Sequence, residues 1–106
     1  MSYRYMRTIL FFDLPTLTNQ NQKSYRHFVK NIKKIGFYMI QESVYVKLSL
    51  DFQSCNSTIN KINDFLPREG NIIVLNVTEK QFSRMQVLLG EAKTDIITND
   101  SRTIYL

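Results

Sequence analysis

Thr8-Ile9-Leu10-Phe11-Phe12-Asp13-Leu14 is the stretch on which the fold turns. It is short, rich in β-branched and aromatic residues, and closed by Pro15, which marks a strand. Successive side chains of a strand point to opposite faces. Ile9 and Phe11 therefore point one way, and Leu10, Phe12 and Leu14 the other, so neither face is polar. A second stretch, Asn71-Ile72-Ile73-Val74-Leu75-Asn76-Val77, behaves alike: Ile72 and Val74 oppose Ile73, Leu75 and Val77. Such a nearly continuous apolar run predicts a central strand.

The segments between them supply helices and two more strands. Tyr25, Phe28, Val29, Ile32 and Ile35 recur at helical spacing, and Gly36 supplies the stop. Asn19 with Gln22 approximates a capping box at the start of that helix. Phe37-Tyr38-Met39-Ile40 and Ser43 to Leu48 read as two strands. Gln41-Glu42 makes a poor tight turn, so the connection is expected to be bent or bulged. Cys55, Ile59, Ile62 and Phe65 or Leu66 form a second helical stripe, ended by Pro67. Thr78-Glu79-Lys80-Gln81 is a capping box opening a short helix through about Met85. Gln86 to Leu89 reads as a further short strand, Gly90 to Arg102 as loop, and Thr103-Ile104-Tyr105-Leu106 as a final strand.

The order is β-α-β-β-α-β with a C-terminal appendage. Two helices on one face of an antiparallel four-stranded sheet, a ferredoxin-like α+β domain, is the solution for that order. The expected division is a domain over residues 1–90 and an appended loop and short strand over 91–106. In a lone domain of this kind the second sheet face is wet and its strands alternate apolar with polar. These strands do not, so that face needs cover, and a second copy of the chain is the simplest source. The expectation is a homodimer with sheets face to face, its basic helices forming one continuous cationic platform.

With 106 residues, 43% of them hydrophobic, the chain suits one domain with one core. The formal charge of +5 and a pI near 9.5 favour an anionic partner, nucleic acid ahead of a membrane surface. Cys55 is the one cysteine, which excludes an intrachain disulfide and suits a reducing compartment. One His and one Cys also exclude a zinc site built within one chain. The N-terminus lacks the apolar stretch of a signal peptide, and no apolar run approaches the roughly 20 residues of a bilayer span. The expected setting is the cytoplasm, without a membrane partner.

Charge is most ordered on the first helix. Lys23, Arg26, Lys30, Lys33 and Lys34 fall within an arc of roughly 100°, opposite the apolar stripe. Cations along one face can track a phosphate backbone without reading bases; a solvated outer face is the plain alternative. Residues 16–41 contain no acid, so pairing within the helix does not account for the stripe. Tyr3-Arg4-Tyr5-Met6-Arg7 interleaves aromatics with arginine, which suits stacking and phosphate contact by Arg4 and Arg7, or simply extends a strand. Asp13 is an anion at the end of an apolar strand. One carboxylate from each of two copies, brought together by a two-fold axis, could hold Mg²⁺ against a phosphodiester, or Asp13 could be a turn residue before Pro15. His27, without a Cys or Asp at catalytic spacing, reads as surface. Ser43 lacks a nearby base, and the three glycines form no phosphate loop, so nucleotide cofactors are not indicated.

Taken together, these segments resemble the small CRISPR-associated adaptation protein, the smaller of the two proteins that insert new spacers, in the form found beside single-effector DNA-cutting systems of Gram-positive bacteria. Tyr3-Arg4-Tyr5-Met6-Arg7, Phe12-Asp13-Leu14-Pro15, Gly36-Phe37 running to Gln41-Glu42-Ser43-Val44-Tyr45, and Gly70-Asn71-Ile72 through Thr78-Glu79-Lys80-Gln81-Phe82 carry the resemblance, with Lys23-Ser24-Tyr25-Arg26 beside them. It spans about residues 1–90, and members usually continue somewhat past an end like Ile104-Tyr105-Leu106. The resemblance implies a ferredoxin-like homodimer between two dimers of the CRISPR integrase, holding a short double-stranded DNA, with its C-terminal strand region helping to dock the integrase. It also implies, for many members, a metal-dependent endonuclease of RNA or DNA in which the residue matching Asp13 binds Mg²⁺ across the dimer. Three functions compete: a DNA-binding subunit of the spacer-integration complex, a metal-dependent endonuclease, and an RNA-recognition module on the same fold. The third is the weakest, since Ser43-Val44-Tyr45-Val46-Lys47 offers only Tyr45 where such modules carry Gly and aromatics.

Overall fold

The computed structural model describes residues 5–90. Arg4 and the expected loop and strand of 91–106 lie outside the described residues. The elements run β1 (Met6–Asp13), α1 (Asn19–Lys34), β2 (Tyr38–Gln41), β3 (Val44–Ser49), α2 (Phe52–Asn63), β4 (Asn71–Thr78) and α3 (Glu79–Phe82). The strands form one antiparallel sheet in the order β2-β3-β1-β4. This is the expected ferredoxin-like α+β arrangement.

Strand periodicity assigns each residue its face. Leu10 pairs with Tyr45 on one side and Val74 on the other, and Phe12 pairs with Ile72. These side chains make the core with Phe28 and Ile32 of α1 and Ile62 of α2. Phe12 sits at its centre, edge-on to Phe28 at 5.4 Å and to Tyr25 at 5.8 Å, and stacked on Tyr45 at 5.6 Å. Such aromatic pairs contribute about 1 kcal/mol each beyond their buried area. Cys55 is fully buried beneath α2.

The opposite face carries Arg7, Ile9, Phe11 and Asp13 of β1, in register with Val44, Val46 and Leu48 of β3 and with Ile73, Leu75 and Val77 of β4. No long helix lies there. Ile73 is 62%, Leu75 51% and Phe11 37% exposed. The sheet is therefore apolar on both faces, with one of them open.

Local chemistry sets the element ends, with three departures from expectation. Thr18, not Asn19, caps α1: its hydroxyl accepts from the Asn21 amide at 3.0 Å, while the Gln22 side chain donates to the Thr16 carbonyl. At the other end Gly36 adopts φ +110°. The Phe37 amide reaches the Ile32 carbonyl and the Gly36 amide that of Lys33, the paired bonds of a Schellman stop. The expected irregularity between the second and third strands is a bulge at Met39/Gln41, followed by Ser43 at φ 65°. The second departure concerns β4, which lies at the sheet edge rather than the centre. Its apolarity on both faces comes from the core on one side and the open face on the other. This edge carries no charge and no proline over its eight residues. Third, Gln86 to Leu89 form no strand: the chain turns after α3 and continues irregularly, with Leu88 and Leu89 exposed.

Candidate nucleic-acid and metal interface

The basic stripe takes its direction from the packing of α1. Phe28 and Ile32 are fully buried against the sheet, so the opposite side of the helix faces away from it. Lys23, Arg26, Lys30, Lys33 and Lys34 stand there, all exposed. None forms an ion pair among the described residues. Lys33 and Lys34 occupy the last turn of α1, where cations complement the helix dipole. His27 is a surface residue as expected, with its ring beside the Asn31 side chain at 3.2 Å.

Asp13 ends β1, exposed, opposite Asn71. Its register puts it on the open face with Phe11. The stripe lies on the far side of the sheet, so Asp13 and the five cations are not brought together in one chain. Gly70 fixes the backbone around Asp13. It adopts φ +113°, and a Cβ there would stand 2.6 Å from Leu14 Cδ2 and 2.8 Å from the Asp13 carbonyl oxygen.

No group of three His, Cys, Asp or Glu residues comes together among the described residues. Among the described residues, the end of β1 thus offers Mg²⁺ only the carboxylate of Asp13. That donor set fits only a metal whose other ligands are water, phosphate oxygens and the carboxylate of a second copy.

Arg7, one of the expected phosphate contacts, is engaged within the chain. It is 8% exposed and anchors a network on the open face. Its Nε donates to Glu79 Oε1 at 2.6 Å, Nη2 to Oε2 at 3.1 Å, and Nη1 to the Tyr38 hydroxyl at 2.6 Å. The guanidinium lies 4.6 Å from the centre of the Phe82 ring. Burial acts to lower its pKa, but the bonds and charges of Glu79 and Tyr38 outweigh it and hold the guanidinium above its already high ordinary value. Little of Arg7 is left for a phosphate. The network instead pins α3 over one end of the open face, helped by the Glu79 amide donating to the Tyr5 carbonyl at 3.0 Å. The sequence held one signal of this: an arginine in register with Ile9 and Phe11, on an apolar face, needs an anion nearby.

A cleft of about 590 Å³ opens between the start of α1 and the segment 64–69, lined by His27, Asp64, Arg68 and Glu69 among others. Its charges are mixed and Asp13 does not line it. Among the described residues no helix is long and apolar enough to cross a membrane.

The sequence signature of the family described as CRISPR associated protein Cas2 matches residues 6–85. A "CRISPR-associated endoribonuclease Cas2" of Treponema denticola is 44% identical over 101 residues, covering 95% of this chain and all of the relative. A protein of the same description from Streptococcus mutans is 46% identical over 101 residues, covering 95% of this chain and 93% of the relative. One from Ligilactobacillus salivarius is 42% identical over 101 residues, covering 95% of this chain and all of the relative. A solved structure described as "Crystal structure of cas2" superposes with a TM-score of 0.59 at 14% identity, covering 85% of this chain and 92% of the other. With a signature spanning both faces of the sheet and relatives aligned along nearly the whole chain, this protein belongs to the CRISPR-associated Cas2 family.

Proposed function

We propose that the chain is a structural, DNA-binding subunit of CRISPR adaptation, working as a homodimer beside the CRISPR integrase. One observation carries this reading: five exposed cations on one outward face of α1 have no carboxylate partner among the described residues. A row of that kind attracts a polyanion through its backbone and ignores its sequence. The open face supports pairing, because Phe11, Leu48, Ile73 and Leu75 stand exposed on it and soluble domains seldom leave a contiguous apolar patch wet. Binding to short duplexes, measured as salt is raised, tests the phosphate contacts. The logarithm of the affinity should fall linearly with log salt, by about 0.9 per phosphate neutralised. Lys30→Ala should weaken binding to every duplex alike and flatten that slope by about one. Affinity indifferent to salt, or a loss confined to one sequence, overturns the assignment.

The exposed carboxylate of Asp13 on the open face favours a second reading, a Mg²⁺-dependent endonuclease acting on RNA or DNA. Pairing about a two-fold axis near the ends of the β1 strands would set two Asp13 side chains opposite one another. A Mg²⁺ bound there would polarise a phosphodiester and make a bound water more acidic. Asp13 itself would hold the metal, and Gly70 and the β1–β4 pairing would keep the carboxylate in place. Asp13→Ala separates the two: it leaves duplex binding unchanged under the first and abolishes Mg²⁺-dependent cleavage under the second.

A further inference from the structure

The cleft between the start of α1 and the segment 64–69 serves neither function proposed above. Its volume of about 590 Å³ falls within the range of pockets that enclose a small organic ligand, about 300–1,000 Å³. Two of its lining residues are aromatic, and both rings are anchored in the core. Tyr25 lies edge-on to Phe12 with ring centres 5.8 Å apart, and Phe65 packs on Phe28 at 5.8 Å. Polar groups share the lining: Gln20 and Ser24 from α1, and the carboxylates of Asp64 and Glu69. Neither carboxylate has an ion-pair or hydrogen-bond partner among the described residues. Asp64 caps the C-terminus of α2, where the negative end of the helix dipole opposes an acid, so local stability does not account for it. The surroundings are cationic. Lys23 is three residues from Gln20 and four from His27, hence their neighbour on the helix surface, and Arg68 stands in the lining itself.

We propose that this cleft is a site for one unpaired nucleobase, guanine before the others, with the attached phosphate on Lys23 and Arg68. Three features select this ligand. Aromatic rings offer a stacking surface that any base can use. The two acids accept hydrogen bonds and donate none, so they match a base edge that donates. Guanine presents two adjacent donors, N1–H and the N2 amino group. Adenine and cytosine present one amino group beside an acceptor, and uracil and thymine place one N–H between two carbonyls that a carboxylate repels. The third feature is the charge outside. A cationic peptide would also satisfy the acids, but Lys23 and Arg68 repel it, and a chain of charge +5 attracts anions. The site goes beyond the backbone contacts of α1, which ignore sequence, and it lies within one chain whether or not two copies pair.

Titration of the full chain with guanosine and with uridine 5′-monophosphate, followed by amide NMR, tests this. The guanosine nucleotide should shift the amides of Gln20, Ser24 and residues 64–69. It should bind about tenfold or more tighter than the uridine nucleotide, the discrimination of one good base-edge pair. Asp64→Asn with Glu69→Gln exchanges acceptor-only groups for amides of the same shape. The double variant should lose the preference for guanosine while its thermal unfolding midpoint stays unchanged and its affinity for a blunt duplex does not fall. Equal binding of the two nucleotides by the wild type, shifts confined to residues outside the cleft, or a preference that survives the double variant overturns the proposal. A duplex with a guanine overhang, compared with one carrying a thymine overhang, identifies the source of the base. Binding about tenfold tighter with guanine assigns the cleft to strand ends, and equal binding assigns it to free nucleotides. Duplex affinity indifferent to salt would remove the α1 reading without touching this one.

Discussion

Gly70 shows how one missing methyl group places a candidate site. Its positive φ is a conformation that glycine adopts freely and other residues resist. Its bare Cα also lets β4 start against Leu14 and the Asp13 carbonyl. Gly70→Ala has no relaxed rotamer to escape into, because a Cβ has no torsion of its own. It should cost about 2–4 kcal/mol in urea unfolding, and in amide NMR spectra should shift Asp13 and Leu14 while leaving α2 undisturbed. A cost below about 0.5 kcal/mol, the level of an ordinary surface change, would show that the approach is looser than described.

α3 is only four residues long, far too short to be helical on its own strength. Two devices hold it. Thr78 and Gln81 close a reciprocal capping box, and the Arg7–Glu79 pair ties it to β1. Both partners of that pair are largely buried, with side chains 10% and 18% exposed, so removing either one alone strands the other's charge. Glu79→Ala leaves a desolvated guanidinium and Arg7→Met a desolvated carboxylate, and each should cost roughly 3 kcal/mol, whereas the double variant Arg7→Met with Glu79→Leu, which discards both charges, should cost less than half of that. A double variant no more stable than either single one in urea titrations would contradict this account. The four strands and two long helices were legible because their periods come from packing against a core, which is written locally. The Arg7–Glu79 contact was not, because its partners stand 72 positions apart and the capping box had already given the 78–81 segment a sufficient local explanation. The edge position of β4 was hidden for a related reason. Apolarity on both faces does not by itself say whether a strand lies at the centre or the edge of its sheet. The apolar run at 86–89 resembles a strand in composition, yet the described sheet gives it no partner. The stripe on α1 was legible residue by residue; that it lies across the sheet from Asp13 required the fold.

At the scale of the molecule, the proposed pairing rests on the open face. Ile73 and Leu75 are more than half exposed in one copy, so a charge placed there meets water in the monomer and a second apolar sheet in the pair. Ile73→Glu should leave the circular dichroism spectrum unchanged and halve the mass measured by light scattering at micromolar concentration. A variant that keeps the full mass would move the pairing surface elsewhere, and a wild-type chain of monomer mass would remove the need for one. The rim of β4, bare among the described residues, has a consequence beyond pairing. Unpaired amides and carbonyls along an uncharged, proline-free strand form a template that other extended chains can lengthen. Where no other strand occupies it, that rim would let copies add to one another as a ribbon, at a rate that rises with concentration.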